Sequence, residues 1–543
     1  MNIWLDTTLL SQSSIDPYKS SHLSNYSSND CPNDKSSIDP YKSSHLSNYD
    51  CPNDSRNYSS NDCPADRGAI ETGSPSILLV PTLSEEDILS LRAHTFTSIT
   101  TLYTQQYGSS LYLVCNPIGS GTVAVLDTEA YTLLTDFRSP RTLQDAMTNA
   151  PMSSSSVAKT VALFTRLGFL QDLAQPTPTL DQQHDHTLAA WLHVTNACNL
   201  RCHYCYVQKD AEHMADDTSK RAVDAIIRSA MSYHHRHINL TYAGGESTLR
   251  LPQVIATHDY ALEQTREHNL GLSASMISNG VMMPQWAIEQ LKQRQIGVGI
   301  SLDGIGPQHD QQRPLVNGKG SFASVDRTIT RLLAGGLVPG INVTVTRRNL
   351  DALPTLLEYL LQRDLPFGLS YYRDNECSTH LTDLQFTDAH MISGMRNAFT
   401  YIEEHLPRRP LLGLLVDKAR TQTPHRYTCG VGRNYLAINQ RGGIAKCQAD
   451  ITSTVTTIDA DNPLQAIRED RHGVQAVPVE EKEGCRTCEW RYWCSGGCPM
   501  LTYRITGRSD IKSPNCAIYK ALFPEALRLE ALRLLKYTSP ITL

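Results

Sequence analysis

A chain of 543 residues with 40% hydrophobic and 19% charged residues has the composition of a globular protein with several domains. A formal charge of -6 argues against a surface built to bind nucleic acid phosphates. No apolar run approaches the ~18 residues that span a membrane. The opening MNIWLDTTLL has no basic n-region. With no export signal, the ten of fifteen cysteines that fall in two dense fields read as metal ligands in a reducing cytoplasm rather than as disulfides.

Residues 1–75 are expected to be disordered. SSIDPYKSSHLSNY stands at 13–26 and again, unchanged, at 36–49, a period of 23 residues, and NYSSNDCP recurs at 57–64. That period is in the solenoid range, but Ser, Asn and Asp leave almost nothing to bury against the ordering entropy. The reading is a low-complexity tail, with Cys31, Cys51 and Cys63, each followed by proline, as the only groups in it that could bind something.

Residues 76–175 form a second unit. LYLVC (111–115) and TVAVLD (122–127) alternate like a hairpin, and helical patterns follow at 128–136, 142–149 and 156–168, the last stopped by Gly168. A hairpin with three helices predicts a winged helix-turn-helix. DNA is a poor partner for it, because eight Asp and Glu face five Arg and Lys. The pattern GTVAVLDTEAY…LxRLGFL resembles the small peptide-binding proteins of pyrroloquinoline-quinone biosynthesis. That resemblance implies a precursor-peptide recognition element in which a leader peptide adds a strand to the sheet edge.

A Pro/Thr/Gln/His linker is placed at 176–187. From 188 to 400, strands at 188–194, 237–243, 273–278, 298–302, 341–346 and 367–372 alternate with helical patterns. This predicts an α/β fold, a partial (β/α)6 TIM-like barrel whose chemistry sits at the C-terminal ends of the strands. The cysteine-rich stretch 420–520 is a further domain, with a hairpin turning at Arg441-Gly442, and 521–543 is a terminal helix.

The first strand runs into Cys198-Asn-Leu-Arg-Cys202-His-Tyr-Cys205. Three thiolates on one tight loop can hold three irons of a four-iron four-sulfur cluster and leave the fourth open. A zinc site is the rival, but the run lacks paired C-x2-C spacing, and His203 is too near in sequence to close a tetrahedron. The C-x3-C-x2-C loop, with Gly244-Gly245-Glu246 after the second strand, resembles the radical S-adenosylmethionine (SAM) enzymes. The resemblance implies SAM on the open iron, cleaved to a 5′-deoxyadenosyl radical. SAM contacts would come from Tyr204, Gly244, Gly245, Glu246, Ser278, Asn279, Ser301 and Asp303, with the Glu246 carboxylate on the SAM ammonium group. His309-Asp310-x-x-Arg313-Pro314…Gly318-Lys319-Gly320 resembles a loop of peptide-modifying members and is expected over the site, with Arg313 a carboxylate partner.

The second field, Cys429, Cys447, Cys485, Cys488, Cys494, Cys498 and Cys516, resembles the SPASM domain. That implies two auxiliary four-iron four-sulfur clusters, one on Cys429, Cys447 and Cys498, the other on Cys485, Cys488, Cys494 and Cys516. The first then has either an open iron or a ligand from Cys377. Arg373 and Asp374, at the mouth of the barrel, are a polar pair suited to gripping a peptide or taking a proton, or are a plain salt bridge.

The sequence therefore predicts a radical SAM/SPASM peptide maturase with a fused recognition element. It would act on a ribosomally synthesised precursor peptide, closing a cyclophane-type carbon–carbon cross-link, with flavodoxin or ferredoxin as reductant. A sulfatase-maturing, formylglycine-generating enzyme, an epimerase and a thioether-forming maturase are alternatives within the class. An iron–sulfur regulator or electron carrier is the alternative outside it.

Overall fold

The computed structural model describes residues 1–6, 83–175, 186–421 and 424–543. The repeats at 13–26, 36–49 and 57–64 and most of the expected linker lie outside them. Among the described residues no helix is long and apolar enough to cross a membrane, and twelve cysteines carry free thiols.

Six strands run parallel in the order Phe367–Tyr371, Gly340–Val345, Gly297–Ser301, Gly271–Ser278, His237–Ala243, Thr187–His193. Helices lie between most of them, among them Asp216–Ser232, Leu251–Glu267, Gln285–Gln293, Phe322–Ala334 and Leu353–Gln362. Buried Leu, Ile and Val from strands and helices form one core. The sheet continues past the first barrel strand. Tyr435–Ile438 pairs parallel with Thr187–His193, then antiparallel with Gly443–Ala445, which pairs with Thr454–Thr457. The cysteine-rich region thus shares a nine-stranded sheet with the barrel. The hairpin turns where expected, with Gly442 at φ +85°, a conformation glycine adopts freely.

In the second unit the hairpin Leu111–Cys115/Val123–Asp127 is present, joined by an unexpected third strand, Tyr103–Tyr107. Helices run over Thr128–Asp136, Leu143–Asn149 and Ser154–Arg166, each with a side-chain cap, Asp127, Thr142 and Ser153 respectively. Gly168, at φ +71°, follows the last helix. A helix, Glu85–Leu91, and a strand, Thr95–Ser98, precede these and were not expected.

Two expectations are corrected at the chain ends. Residues 2–5, read with the tail as disordered, form a strand antiparallel to Val123–Asp127, because Ile3 and Leu5 alternate inward and are buried. The terminal helix spans Cys516–Tyr537, starting at a cysteine of the second field, and Ile541–Thr542 is a strand beside Asn2–Leu5. Nor is the small sheet a separable module. Leu113, Cys115, Val123 and Val125 belong to the same core as the barrel and the terminal helix.

Candidate active site

The chain leaves the first barrel strand at His193, and hydrogen bonds fix the cysteine loop on two sides. On one side Gly245 N donates to Thr195 O (2.6 Å) and Glu246 N to Ala197 O (2.8 Å). This approach requires glycine: a β-carbon on Gly245 would lie 2.5 Å from Asn196 O and nearer still to Ala197 O. On the other side Arg201 N donates to Pro314 O (2.8 Å), His203 N to Gln312 O (3.0 Å) and Val316 N to Asn199 O (3.1 Å). The 309–320 segment therefore sits against the cysteine loop.

A cavity of about 410 Å³ opens inside the barrel. Cys198, Cys202 and Cys205 wall it, and so do Tyr204, Gly244, Gly245, Glu246, Ser278, Asn279 and Ser301. Asp303 does not line it. Its carboxylate is buried and accepts from Thr344 N (2.8 Å) and from the Tyr204 hydroxyl, and it pairs with Arg313 at 3.4 Å. Arg313 also donates to the Tyr204 hydroxyl. The Asp303 carboxylate thus pairs with Arg313 and braces the loop from behind.

Glu246 lines the cavity and is also held by the protein. One carboxylate oxygen accepts from Thr248 N (3.1 Å), Thr248 Oγ1 (2.6 Å) and Ser278 Oγ (2.8 Å), the other from Asn279 N (2.7 Å). The carboxylate ties the second strand end to the third. His309 is buried and neutral in its ordinary range, its pKa pulled down to about 3 by burial and by Arg313. Its Nδ1 accepts from Asp303 N (3.3 Å), and Nε2 faces Ser321 Oγ (3.0 Å).

The second three-cysteine set, Cys429, Cys447 and Cys498, walls the same cavity. The hairpin brings the first two together: Cys429 precedes its first strand, Cys447 follows its second, and antiparallel strands put entry and exit at one end. Cys498 begins the helix Pro499–Thr506. Cys485, Cys488, Cys494 and Cys516 line a separate small cleft. Between Cys494 and Cys498, Ser495, Gly496 and Gly497 all have positive φ (46°, 81° and 73°), and this run turns the chain from one set to the other. A β-carbon on Gly497 would lie 2.6 Å from that of Ser513.

Two groups escaped sequence reasoning. Lys482 is buried near cysteines of both sets of the second field, which raise its pKa while burial lowers it more, and its Nζ donates to Ser495 O (2.9 Å). Asp417 is the true partner of Arg373, through two contacts of 2.8 and 2.6 Å. Asp374 faces Gln385 (3.3 Å) and is not on the cavity, so Arg373 and Asp374 do not act as a pair. Tyr371 and Tyr372 both line the cavity, because the strand ends at Tyr371 and alternation stops there. The Cys377 thiol points to Tyr206 O (3.8 Å) and lines a neighbouring cleft rather than the cavity of Cys429, Cys447 and Cys498.

Among the described residues no three Cys, His, Asp or Glu converge on a single ion. Burial pushes the thiols of Cys202 and Cys485 up to about 11 and those of Cys447 and Cys494 up to about 12. Burial of this kind disfavours a thiolate unless a cation lies beside it.

Residues 192–360 match the radical SAM superfamily. The chain therefore carries a radical SAM domain over these residues. More particularly, it is 23% identical over 338 residues to a PqqA peptide cyclase of Methylobacterium nodulans, covering 60% of this chain and 84% of that one. It is 30% identical over 171 residues to an uncharacterized protein of Methanocaldococcus jannaschii, covering 31% of this chain and 57% of that protein. The chain thus spans little more than half of that relative. Among solved structures, native anSMEcpe with bound AdoMet shares the fold, with a TM-score of 0.51 and 18% identity over 63% of this chain and 99% of that one.

Proposed function

We propose that this chain is a radical SAM peptide maturase that breaks a carbon–hydrogen bond in a ribosomally made precursor peptide and closes a cross-link in it. The observation that carries the reading is the single cavity walled by both three-cysteine sets. A peptide residue lying there would have a hydrogen-abstracting centre on one side and an electron acceptor on the other. Similarity to a PqqA peptide cyclase supports a peptide as substrate.

Cys198, Cys202 and Cys205 would hold the SAM-binding cluster, Cys429, Cys447 and Cys498 the first auxiliary cluster, and Cys485, Cys488, Cys494 and Cys516 the second. SAM bound to the open iron would supply a 5′-deoxyadenosyl radical. Tyr204, Gly244, Gly245, Ser278, Asn279 and Ser301 wall the space SAM would fill, with Glu246 and Asp303 holding that wall in place. Arg373 stays a cation in the cavity because Asp417 balances it. The small unit, read as a winged helix, would dock a leader on its sheet and raise the effective concentration of the core peptide. A flavodoxin or ferredoxin in a reducing cytoplasm would supply electrons.

The test is 5′-deoxyadenosine release by the reduced, iron-reconstituted chain. Release is expected from the native chain and not from Cys202→Ser. An iron-loaded, folded chain that releases none overturns the reading.

A further inference from the structure

Two lysines are buried among the described residues, and both belong to the second cysteine field. Lys446, beside Cys447, has its charge balanced within the protein. Its Nζ meets the Asp470 carboxylate at 2.8 Å and donates to the carbonyls of Asp470, His472 and Val474. Lys482, 3% exposed, is placed differently. The acids on either side of it in sequence are engaged elsewhere, Glu480 with Arg426 (2.9 Å) and Glu483 with Arg508 (3.0 Å). Among the described residues its Nζ donates to Ser495 O (2.9 Å) and pairs with no carboxylate.

That carbonyl is the junction of the two auxiliary cysteine sets. Ser495 follows Cys494 of one set, and Gly496 and Gly497 lead to Cys498 of the other. Thr428, which precedes Cys429, sets its Oγ1 against the same Ser495 O (3.1 Å) and Gly497 O (2.7 Å). The Lys482 backbone meanwhile opens the turn of the next cysteine pair: Cys485 N donates to Lys482 O (3.1 Å) and Cys488 N to Cys485 O (2.9 Å). The side chain is pressed against the junction, since a β-carbon on Gly496 would lie 2.9 Å from Nζ and 2.6 Å from Cδ. The titratable groups that act most on it are Cys485 and Cys494 of one set, then Cys429 and Cys498 of the other.

A buried cation is costly without an anion beside it. Neutral thiols do not supply one, whereas thiolates holding an iron–sulfur cluster do. We propose that the Lys482 ammonium is the shared counter-ion of the two auxiliary clusters and raises the reduction potential of both. The proposal rests on the cluster assignment made above and adds what tunes those clusters. A cluster's potential follows its net charge, the hydrogen bonds to its sulfurs and its exposure. A fixed positive charge beside it favours the reduced, more negative state. Standing between the two sets, one lysine acts on both and makes each a better acceptor for an electron leaving the substrate. Lys482 does not line the cavity, so it works through the clusters and is a positioning residue.

The experiment uses the full chain, loaded with iron and sulfide, in a Cys198→Ser/Cys202→Ser/Cys205→Ser background that silences the SAM cluster. Auxiliary clusters are titrated against potential by electron paramagnetic resonance, and iron per chain is measured. Lys482→Met keeps the side chain's length without its charge, and Lys482→Arg keeps the charge. Expected in Lys482→Met is a roughly tenfold fall in the ratio of reduced to oxidised cluster at fixed potential, for both clusters, which is about 59 mV for a one-electron couple. Lys482→Arg should restore the native ratio. Unshifted potentials in a fully loaded Lys482→Met chain overturn the proposal, and so does a shift confined to one cluster or a background that binds only one. Should Lys482→Met fail to load, Lys482→Arg decides: native loading and potentials support the charge, and failure there as well overturns it. Auxiliary clusters in a native chain that releases no 5′-deoxyadenosine would sink the maturase reading and leave this proposal standing.

Discussion

Replacing Gly245 with alanine tests how the site is assembled. The added β-carbon would stand 2.5 Å from Asn196 O, where ordinary contact begins at 3.4 Å. One strand end or the other must give by about 0.9 Å. Both obstacles are backbone carbonyls, so no side chain can rotate away. Overpacking of this kind costs about 1–3 kcal/mol. The two backbone hydrogen bonds that button the loops, from Gly245 N and Glu246 N, add about 1 kcal/mol each if broken. A loss of about 3–5 kcal/mol lowers Tm by roughly 10 °C in a domain of this size. Misplacing a binding wall by about 1 Å can cost on the order of 10²-fold in rate, so 5′-deoxyadenosine release should fall by about that factor. Gly340→Ala is the control, since nothing lies within 4 Å of its added carbon, and it should change stability by less than about 0.5 kcal/mol. A Gly245→Ala chain with native Tm and native SAM cleavage would refute the argument that backbone contact dictates the Gly-Gly pair.

Asp303→Asn leaves the Arg313 guanidinium, 8% exposed, without its charge partner. It should cost about 3–5 kcal/mol in denaturant titration, and a raised KM for SAM at unchanged stability would contradict the bracing role. His309 has a folded pKa of about 3 against about 6.5 unfolded. As pH falls below ~6.5 the unfolded chain takes up a proton that the folded chain refuses, and stability drops by up to about 1.4 kcal/mol per pH unit down to ~3. His309→Gln should flatten that acid limb by comparison with the native chain, and parallel curves would count against it. Cys447→Ser should remove roughly a third of the iron if three four-iron clusters are bound. Cys377→Ala should remove none, because its thiol lies in another cleft, and iron loss there would restore Cys377 as a ligand.

What could be read from the sequence was local in space. The six barrel strands have alternating or continuous apolar runs, and each ran within three residues of its expected bounds. Cysteine spacing likewise foretold which thiols share a cavity wall, Cys198, Cys202 and Cys205 with Cys429, Cys447 and Cys498. Contacts between distant segments left no such trace. Asp303 ends a strand as a ribose-binding carboxylate might, and only the fold shows that Tyr204, Arg313 and Thr344 N occupy it. Arg373 and Asp374 are adjacent, yet Asp417 takes the guanidinium across 44 positions. Asn2–Leu5 is too short to show a period. It becomes a strand only because the edge of Val123–Asp127 and the buried Arg533 are there to receive it.

The way the small sheet is joined to the body bears on how a peptide could reach the cavity. A recognition unit on a flexible linker delivers its cargo at an effective concentration set by linker length. Here the inner face of the sheet shares the barrel's core through Leu113 and Val125. Its edge is laced by the first and last strands of the chain, and Tyr103 packs against Trp490 of the cysteine-rich region (5.4 Å between ring centres). The edge of this sheet therefore stands at a fixed distance from the cavity. With that distance fixed, the number of residues between a docked strand and a reacting residue decides which residues can enter. A foreign leader pairing with Val123–Asp127 would have to displace Asn2–Leu5, losing the burial of Ile3 and Leu5, which is worth about 1.5–3 kcal/mol per side chain, along with three register pairs, whereas Tyr103–Tyr107 at the other end of the sheet has a free edge among the described residues.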